Sequence, residues 1–214
     1  MTHSVRPDPA APAIAAAMPE IVLVRHGRTA HVERRWLDLD SLRSWMAAYD
    51  AAGIALHPPP PPALLALAAG AGALVSSDLP RALASAALLS AGRTVEPSPL
   101  VREAPPETPA DPLPRLGGAR LPLHGWALVF GARWLWASWR EAPPPGVDAA
   151  TLARADAATA WLIERAEGAG RVVVVTHATF RTLVAAGLAR RGWRCAERRP
   201  FHEWSAWRYR PAAA

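Results

Sequence analysis

The stretch IVLVRHGRTA, residues 21 to 30, decides how the rest of the chain is read. Ile21, Val22, Leu23 and Val24 are consecutive β-formers without polar alternation, the pattern of a strand buried on both faces. Such strands belong to parallel sheets covered by helices on two sides. This one runs straight into Arg25, His26 and Gly27. A buried strand ending in a guanidinium and an imidazole puts them at its carboxyl tip, where open α/β sheets form their sites.

Working outward, the same pattern recurs. Residues 73–77 (ALVSS) and 171–177 (RVVVVTH) are apolar strands that also end in polar residues. Between them lie stretches of helical periodicity. One carries Leu42, Trp45, Met46 and Tyr49 on one face, with Asp40 or Ser41 as N-cap and Gly53 as stop. Residues 63–72 and 79–92 read as two more helices, the second with Ser77 or Asp78 as cap, Pro80 in its first turn and Gly92 at its end. Asp148 caps a helix to about Glu167, and residues 179–192 form another, stopped by Gly192. TVEPSPLV (94–101) reads as a Pro-limited strand, Pro58 to Pro62 as a stiff connector, and 201–210 alternates like a strand. Strands alternating with helices predict a three-layer α/β/α sandwich with a mostly parallel central sheet.

The 214 residues suit one domain over 19–214, after a disordered leader at 1–18 or an upstream start with Met18 as the true first residue. Prolines forbid regular structure from Glu103 to about Arg120. A Trp-rich helix is expected at 121–140, with Trp134, Trp136 and Trp139 crowded into it. Residues 103–145 therefore read as a Pro/Trp-rich insertion covering the site, and 121–140 as a lid or the face of a homodimer. Nothing in 121–136 is long enough to span a membrane, and the expected location is cytoplasmic.

Composition excludes several chemistries. One cysteine, Cys195, leaves no disulfide framework and no multi-cysteine metal site. All 24 basic residues are arginine, which rules out a P-loop or Schiff-base lysine. With neither asparagine nor glutamine and with abundant Ala and Pro, the bias is that of a GC-rich coding sequence, so each arginine carries less meaning. The net charge of +6 is concentrated between Arg190 and Arg210. An alternating strand there reads as a solvated edge in preference to a nucleic-acid surface.

Three strand ends carry the chemistry: Arg25-His26-Gly27, then Ser76-Ser77-Asp78 with Arg81 one turn on, then Thr176-His177. A guanidinium fork matches phosphate oxygens. Helix N-termini after residues 78 and 178 add N–H donors. A neutral imidazole can attack phosphorus, a second can stabilise the transferring group, and Gly27 lets a ligand approach the backbone.

These residues resemble the histidine phosphatase superfamily (phosphoglycerate mutase-like). Its Arg-His-Gly-x-Thr signature is met by Arg25, His26, Gly27 and Thr29, its Ser-Ser-x-x-x-Arg-Ala segment by Ser76, Ser77, Arg81 and Ala82, and its strand-Ser/Thr-His segment by Thr176 and His177, across roughly residues 20–209. The resemblance implies a phosphoglycerate mutase-like fold and a metal-independent phosphatase without a cofactor. His26 would become phosphohistidine. Arg25, Arg81 and His177 would hold the phosphate of a small phosphorylated substrate, with Gly27, Thr29 and the exposed Arg28 beside it. Glu103, or Glu107 as fallback, would be the proton donor. Where members acting on phosphoglycerates carry an asparagine, this chain has Ala30, His31 and Val32. The usual Gly-x-Trp-Glu-Gly segment is missing, and Ala178 follows the second histidine. These departures argue against a mutase and leave the substrate unnamed. His31, His57, His124 and His202 default to surface or satisfied partners, the last two in segments that could flank the pocket. Two other readings stay open: a non-catalytic phosphate-ligand-binding module, and a protein-interaction module on the same fold.

Overall fold

The structure, a computed structural model, describes residues 18–32, 36–104, 118–138, 147–198 and 200–212. Most of the leader, Glu107, Trp139 and much of the 103–145 insertion lie outside the described residues, as do the side chains of Trp134 and Trp136. In chain order the elements are β1 (Glu20–Arg25), α1 (Leu39–Ala51), α2 (Pro62–Ala69), β2 (Ala73–Ser76), α3 (Pro80–Ser90), β3 (Glu96–Pro97), α4 (Leu123–Ser138), α5 (Ala149–Ala169), β4 (Arg171–Thr176), α6 (Ala178–Arg190), β5 (Trp193–Arg198) and β6 (Ala206–Pro211).

The sheet order is β3-β2-β4-β1-β6-β5. The strands from β3 to β1 run parallel, and β6 and β5 close one edge antiparallel. Alternate residues of β1 serve opposite layers. Ile21 and Leu23 pack with Leu162, Phe180 and Val184 of α5 and α6. Val22 and Val24 pack with Leu64, Ala82 and Ala86 of α2 and α3. The three layers of the expected sandwich are thus both covered faces and the sheet between them. Each fully buried Val, Leu or Ile side chain stabilises this arrangement by about 1.5–3 kcal/mol. Close approach of α5 and α6 is set by Gly187, where a Cβ would stand 2.5 Å from Thr159 Oγ1. Among the described residues no helix is long and apolar enough to cross a membrane.

Several local expectations are corrected. Helix α1 is capped by Asp38, whose side chain accepts from Ser41 N, and it ends at Ala51, before Gly53. Helix α3 has no side-chain cap, because Asp78 is drawn off to Arg102. The 94–101 strand shrinks to Glu96–Pro97, since Pro99 has no N–H to donate and the chain turns into a 3₁₀ helix there. Strand β5 is additional. Its exposed face carries Arg194 and Glu197, so it lacks the apolar run that marks a buried strand. The described part of the Trp-rich helix α4 packs on α1. Trp126 is buried beside Leu37 and Leu42, and its Nε1 donates to Leu37 O at 2.8 Å.

Candidate active site

Register positions the two imidazoles. Strand β1 pairs β4 with Arg25 opposite Thr176, so His26 and His177 are the next residues of adjacent parallel strands. The backbone N–H of His26 donates to Thr176 O at 3.0 Å, which carries the ladder one residue beyond the strands. Neighbouring strands lie about 4.8 Å apart, and the two ring centroids are 5.1 Å apart. Both histidines are buried.

Each ring has one nitrogen committed. His26 Nδ1 lies 2.7 Å from Gly27 O. A carbonyl only accepts, so Nδ1 carries the proton and Nε2 keeps its lone pair. His177 Nε2 lies 2.8 Å from Ser77 Oγ. That hydroxyl oxygen already accepts from Leu79 N, so its proton can be donated to His177 Nε2. In that arrangement His177 Nδ1 bears the hydrogen, and this buried nitrogen has no partner among the described residues. Burial drives the His26 pKa down to about 3, helped by the positive charges of Arg81, Arg25 and Arg181, although its bond to Gly27 O pulls the other way. Burial likewise holds His177 well below the usual imidazole range, reinforced by Arg81 and His26. Both rings are neutral at pH 7.

Three guanidinium groups surround the pair. Arg81, one turn into α3, is buried and donates from Nη1 to Asp50 Oδ1 at 2.9 Å and to Tyr49 O at 3.3 Å. Arg25 donates to Phe201 O. Arg181 follows His177 by four residues on α6, which keeps both on one helical face. It donates to Ser205 O and Oγ and lies over the Trp207 ring, 4.1 Å from its centroid. The Nε atoms of all three arginines are buried without a partner among the described residues. Tyr49 joins them: Arg81 sits 4.5 Å over its ring, its hydroxyl bonds Arg25, and its ring is edge-on to His26 at 6.5 Å.

Glu103 reaches the same end of the sheet. Its Oε1 accepts from Ala104 N and from Phe180 N in the first turn of α6, both at 3.0 Å. The free donors expected at that helix start are therefore taken by this carboxylate. Burial pushes the Glu103 carboxyl above the ordinary carboxylate range; the backbone bonds and the Arg81 charge only partly offset it. Arg154 holds the loop by donating to the carbonyls of Leu100, Arg102 and Glu103.

Of the remaining site candidates, Thr29 and Arg28 make no contact with this cluster among the described bonds, while Gly27 is part of its frame. Thr29 turns to the 53–54 segment, its hydroxyl donating to Gly53 O at 3.3 Å and accepting from His31 N. Arg28 is exposed. Gly27 has a different reason from the one expected. A Cβ there would collide with the Trp204 ring, with Cε2 only 2.7 Å away, so the glycine makes room for that ring. Its N–H donates to Ser85 Oγ at 2.9 Å, and Ser85 in turn donates to Arg81 O, which ties the first strand tip to α3. Sequence reasoning missed Tyr49, read only as a helix-face residue, and Arg181, for which the spacing from His177 was the available signal.

No family model matches the chain. No curated protein matches it either. Among solved structures, it is similar to a phosphoserine phosphatase from Entamoeba histolytica in complex with phosphoserine, at 15% identity, a TM-score of 0.48 and coverage of 81% of both chains. It is also similar to a mycobacterial glucosyl-3-phosphoglycerate phosphatase bound to VO3, at 21% identity, a TM-score of 0.48 and coverage of 80% of this chain and 82% of the other. Both of these are phosphatases. The native form of the mycobacterial enzyme gives 21% identity and a TM-score of 0.49, with 80% of each chain covered.

Proposed function

We propose that this chain is a histidine-phosphatase-type hydrolase of small phosphomonoesters. The observation that carries the reading is the pair of buried, neutral imidazoles, 5.1 Å apart, enclosed by Arg25, Arg81 and Arg181. Neutral rings beside unpaired guanidinium edges suit an anion that is to be attacked, not merely neutralised.

His26 Nε2, unprotonated because Nδ1 is held by Gly27 O, attacks phosphorus. The P–O bond to the leaving group breaks, and Glu103 supplies the proton that the departing oxygen needs. Its raised pKa keeps a proton on the carboxyl to higher pH than an ordinary acid would. His177 Nδ1–H, Arg25 and Arg81 bond the equatorial phosphoryl oxygens, where charge is spread in the transition state. Arg181 is enclosed and acts on the site by its charge and by holding Ser205, whose carbonyl accepts from Arg25 N. Water then attacks phosphohistidine, its proton passing to the Glu103 carboxylate, and phosphate leaves. The cationic side chains supply the charge stabilisation that a metal gives in other phosphatases.

Hydrolysis of p-nitrophenyl phosphate tests this reading. We expect turnover that withstands a chelator, a trapped phosphohistidine with labelled substrate, and loss of both in His26→Ala. Undiminished turnover in His26→Ala would sink the mechanism. Phosphate binding without any trapped label would instead favour a non-catalytic module.

A further inference from the structure

The segment that carries Glu103 has no regular structure of its own to hold it. After the 3₁₀ turn Pro99–Val101 the chain runs to Ala104 outside any helix or strand. Carbonyl groups there have no ladder to join, yet every polar backbone group away from water needs a partner. Four consecutive carbonyls of this segment, from Leu100 to Glu103, are taken by side chains. Arg154, on α5, donates from Nη1 to Leu100 O at 3.0 Å and to Arg102 O at 2.7 Å, and from Nη2 to Glu103 O at 3.1 Å. The carbonyl between them, Val101 O, accepts from Thr176 Oγ1 at 2.7 Å. Thr176 ends β4 and directly precedes His177. The segment bearing the carboxyl is thus tied to the strand tip bearing the second imidazole.

Arg154 also reaches the far side of the acid. Its guanidinium carbon lies 4.1 Å from the centroid of the Phe180 ring. The Phe180 N–H is one of the two donors that hold Glu103 Oε1, the other being Ala104 N–H. One guanidinium therefore touches both the backbone that carries the carboxyl and the residue that receives it. Val101 and Ala104 are buried in the core and press the segment against it. Apolar burial is non-directional, however, and does not decide how the peptide planes between those two residues are turned. A planar fork bonded to three carbonyls does decide it. The direction in which the Glu103 side chain leaves the backbone follows from those planes.

We infer that Arg154 is a positioning residue for the general acid, setting Glu103 where the leaving oxygen departs, with Thr176 as its partner on β4. The inference rests on the phosphatase reading above. Its test uses two esters whose leaving groups need the proton to different degrees: p-nitrophenolate departs readily without one, phenolate does not. The quantity to measure is kcat/KM, which covers phosphoryl transfer to His26, the step in which the acid acts, and excludes the later hydrolysis of phosphohistidine. Arg154→Met should lower it for phenyl phosphate about tenfold more than for p-nitrophenyl phosphate, within what a general acid supplies. In a Glu103→Gln background that extra loss should vanish, because no acid is left to place. Losses equal on the two esters, or an extra loss that persists in Glu103→Gln, would overturn the role and leave the phosphatase reading standing. Thr176→Val keeps the side-chain shape and removes one of the four bonds. It should show the same dependence on the ester to a smaller degree, and it carries the test where Arg154→Met does not fold; an equal effect on both esters there counts against the role as well. Turnover of neither ester by the wild type would remove the role and the phosphatase reading together.

Discussion

The two ends of β1 pose the same electrostatic problem and solve it differently. At the start of the strand, Arg171, Arg208 and Arg210 converge on the Glu20 carboxylate, at 2.6, 2.8 and 2.9 Å. Burial alone would raise the Glu20 pKa, but hydrogen bonds from Arg208 and Arg171 more than offset it and the carboxyl ends up lowered. At the other end, Arg25, Arg81 and Arg181 crowd around His26. There, among the described residues, only Arg81 has a directly bonded carboxylate, on the half-exposed Asp50. Four residues of apolar strand separate a cationic cluster closed by its own anion from one left open. The chain can gather three arginines onto one buried carboxylate when that serves stability. Where it does not, positive charge is kept for something that comes and goes.

Acid should separate the two ends most strongly. A histidine whose folded pKa is depressed contributes stability that is present above its unfolded pKa, near 6.5, and lost as pH falls toward the folded value of about 3. For His26 the full loss is about 5 kcal/mol, with His177 acting in the same direction. The lowered Glu20 pKa acts in a lower window, its stabilisation present above about 4.5 and lost as pH falls further. Glu103, with its raised pKa, opposes both by releasing strain as it protonates. Urea unfolding between pH 7 and 4 should therefore show a decline that starts before carboxylates titrate and is blunted in His26→Ala. Identical declines in the two proteins would break the comparison.

Arg81→Ala should lower kcat by about 10²–10³-fold, as for loss of one charge-stabilising donor, with the protein still folded because it relieves like-charge crowding. A chain that loses stability and activity together would mean that Arg81 is structural, like the arginines on Glu20. Inorganic phosphate should raise the unfolding free energy by about 2.7 kcal/mol at a hundred times its Kd. That gain should vanish in Arg81→Ala and persist in Glu20→Gln. Glu20→Gln itself should cost about 2 kcal/mol, near the low end for a broken ion pair, because its partners are 23–45% exposed and can turn to water. Its kcat should match the wild type. The pH–rate profile should be a bell on the acid side, limited below by protonation of His26 near 3 and above by ionisation of Glu103.

Much of this was legible in the residues. Uninterrupted runs such as Val172–Val175 announce a doubly covered strand because no polar side chain has to reach water. Arg25, His26, Arg81 and His177 could be brought together on paper because each follows a strand and parallel strands end on the same edge. Glu103 was reachable only through the resemblance, which looks for an acid after the third strand. What stayed hidden depended on contacts distant in sequence. Trp204 fills the space at Gly27 from 177 positions away, and nothing local to Gly27 says whether a ligand or a ring will occupy it. Tyr49 obeys the helical period of α1 whether it faces a core or a site. Strand β5 carries charge on its open face and so lacks the apolar signature.

The Trp204 ring behind Gly27 also has a temporal consequence. The proposed nucleophile directly follows the first strand, yet its backing comes from the turn just before the last one, whose residues pair with β1 from Ile21 to Val24. During synthesis His26 is made early and waits. A ribosome-bound chain lacking residues beyond 200 would expose an unbraced strand tip and a bare sheet edge, and such distant pairings close slowly. Competence at this site is thus a late event in the chain's life, arriving only when its end returns to its beginning.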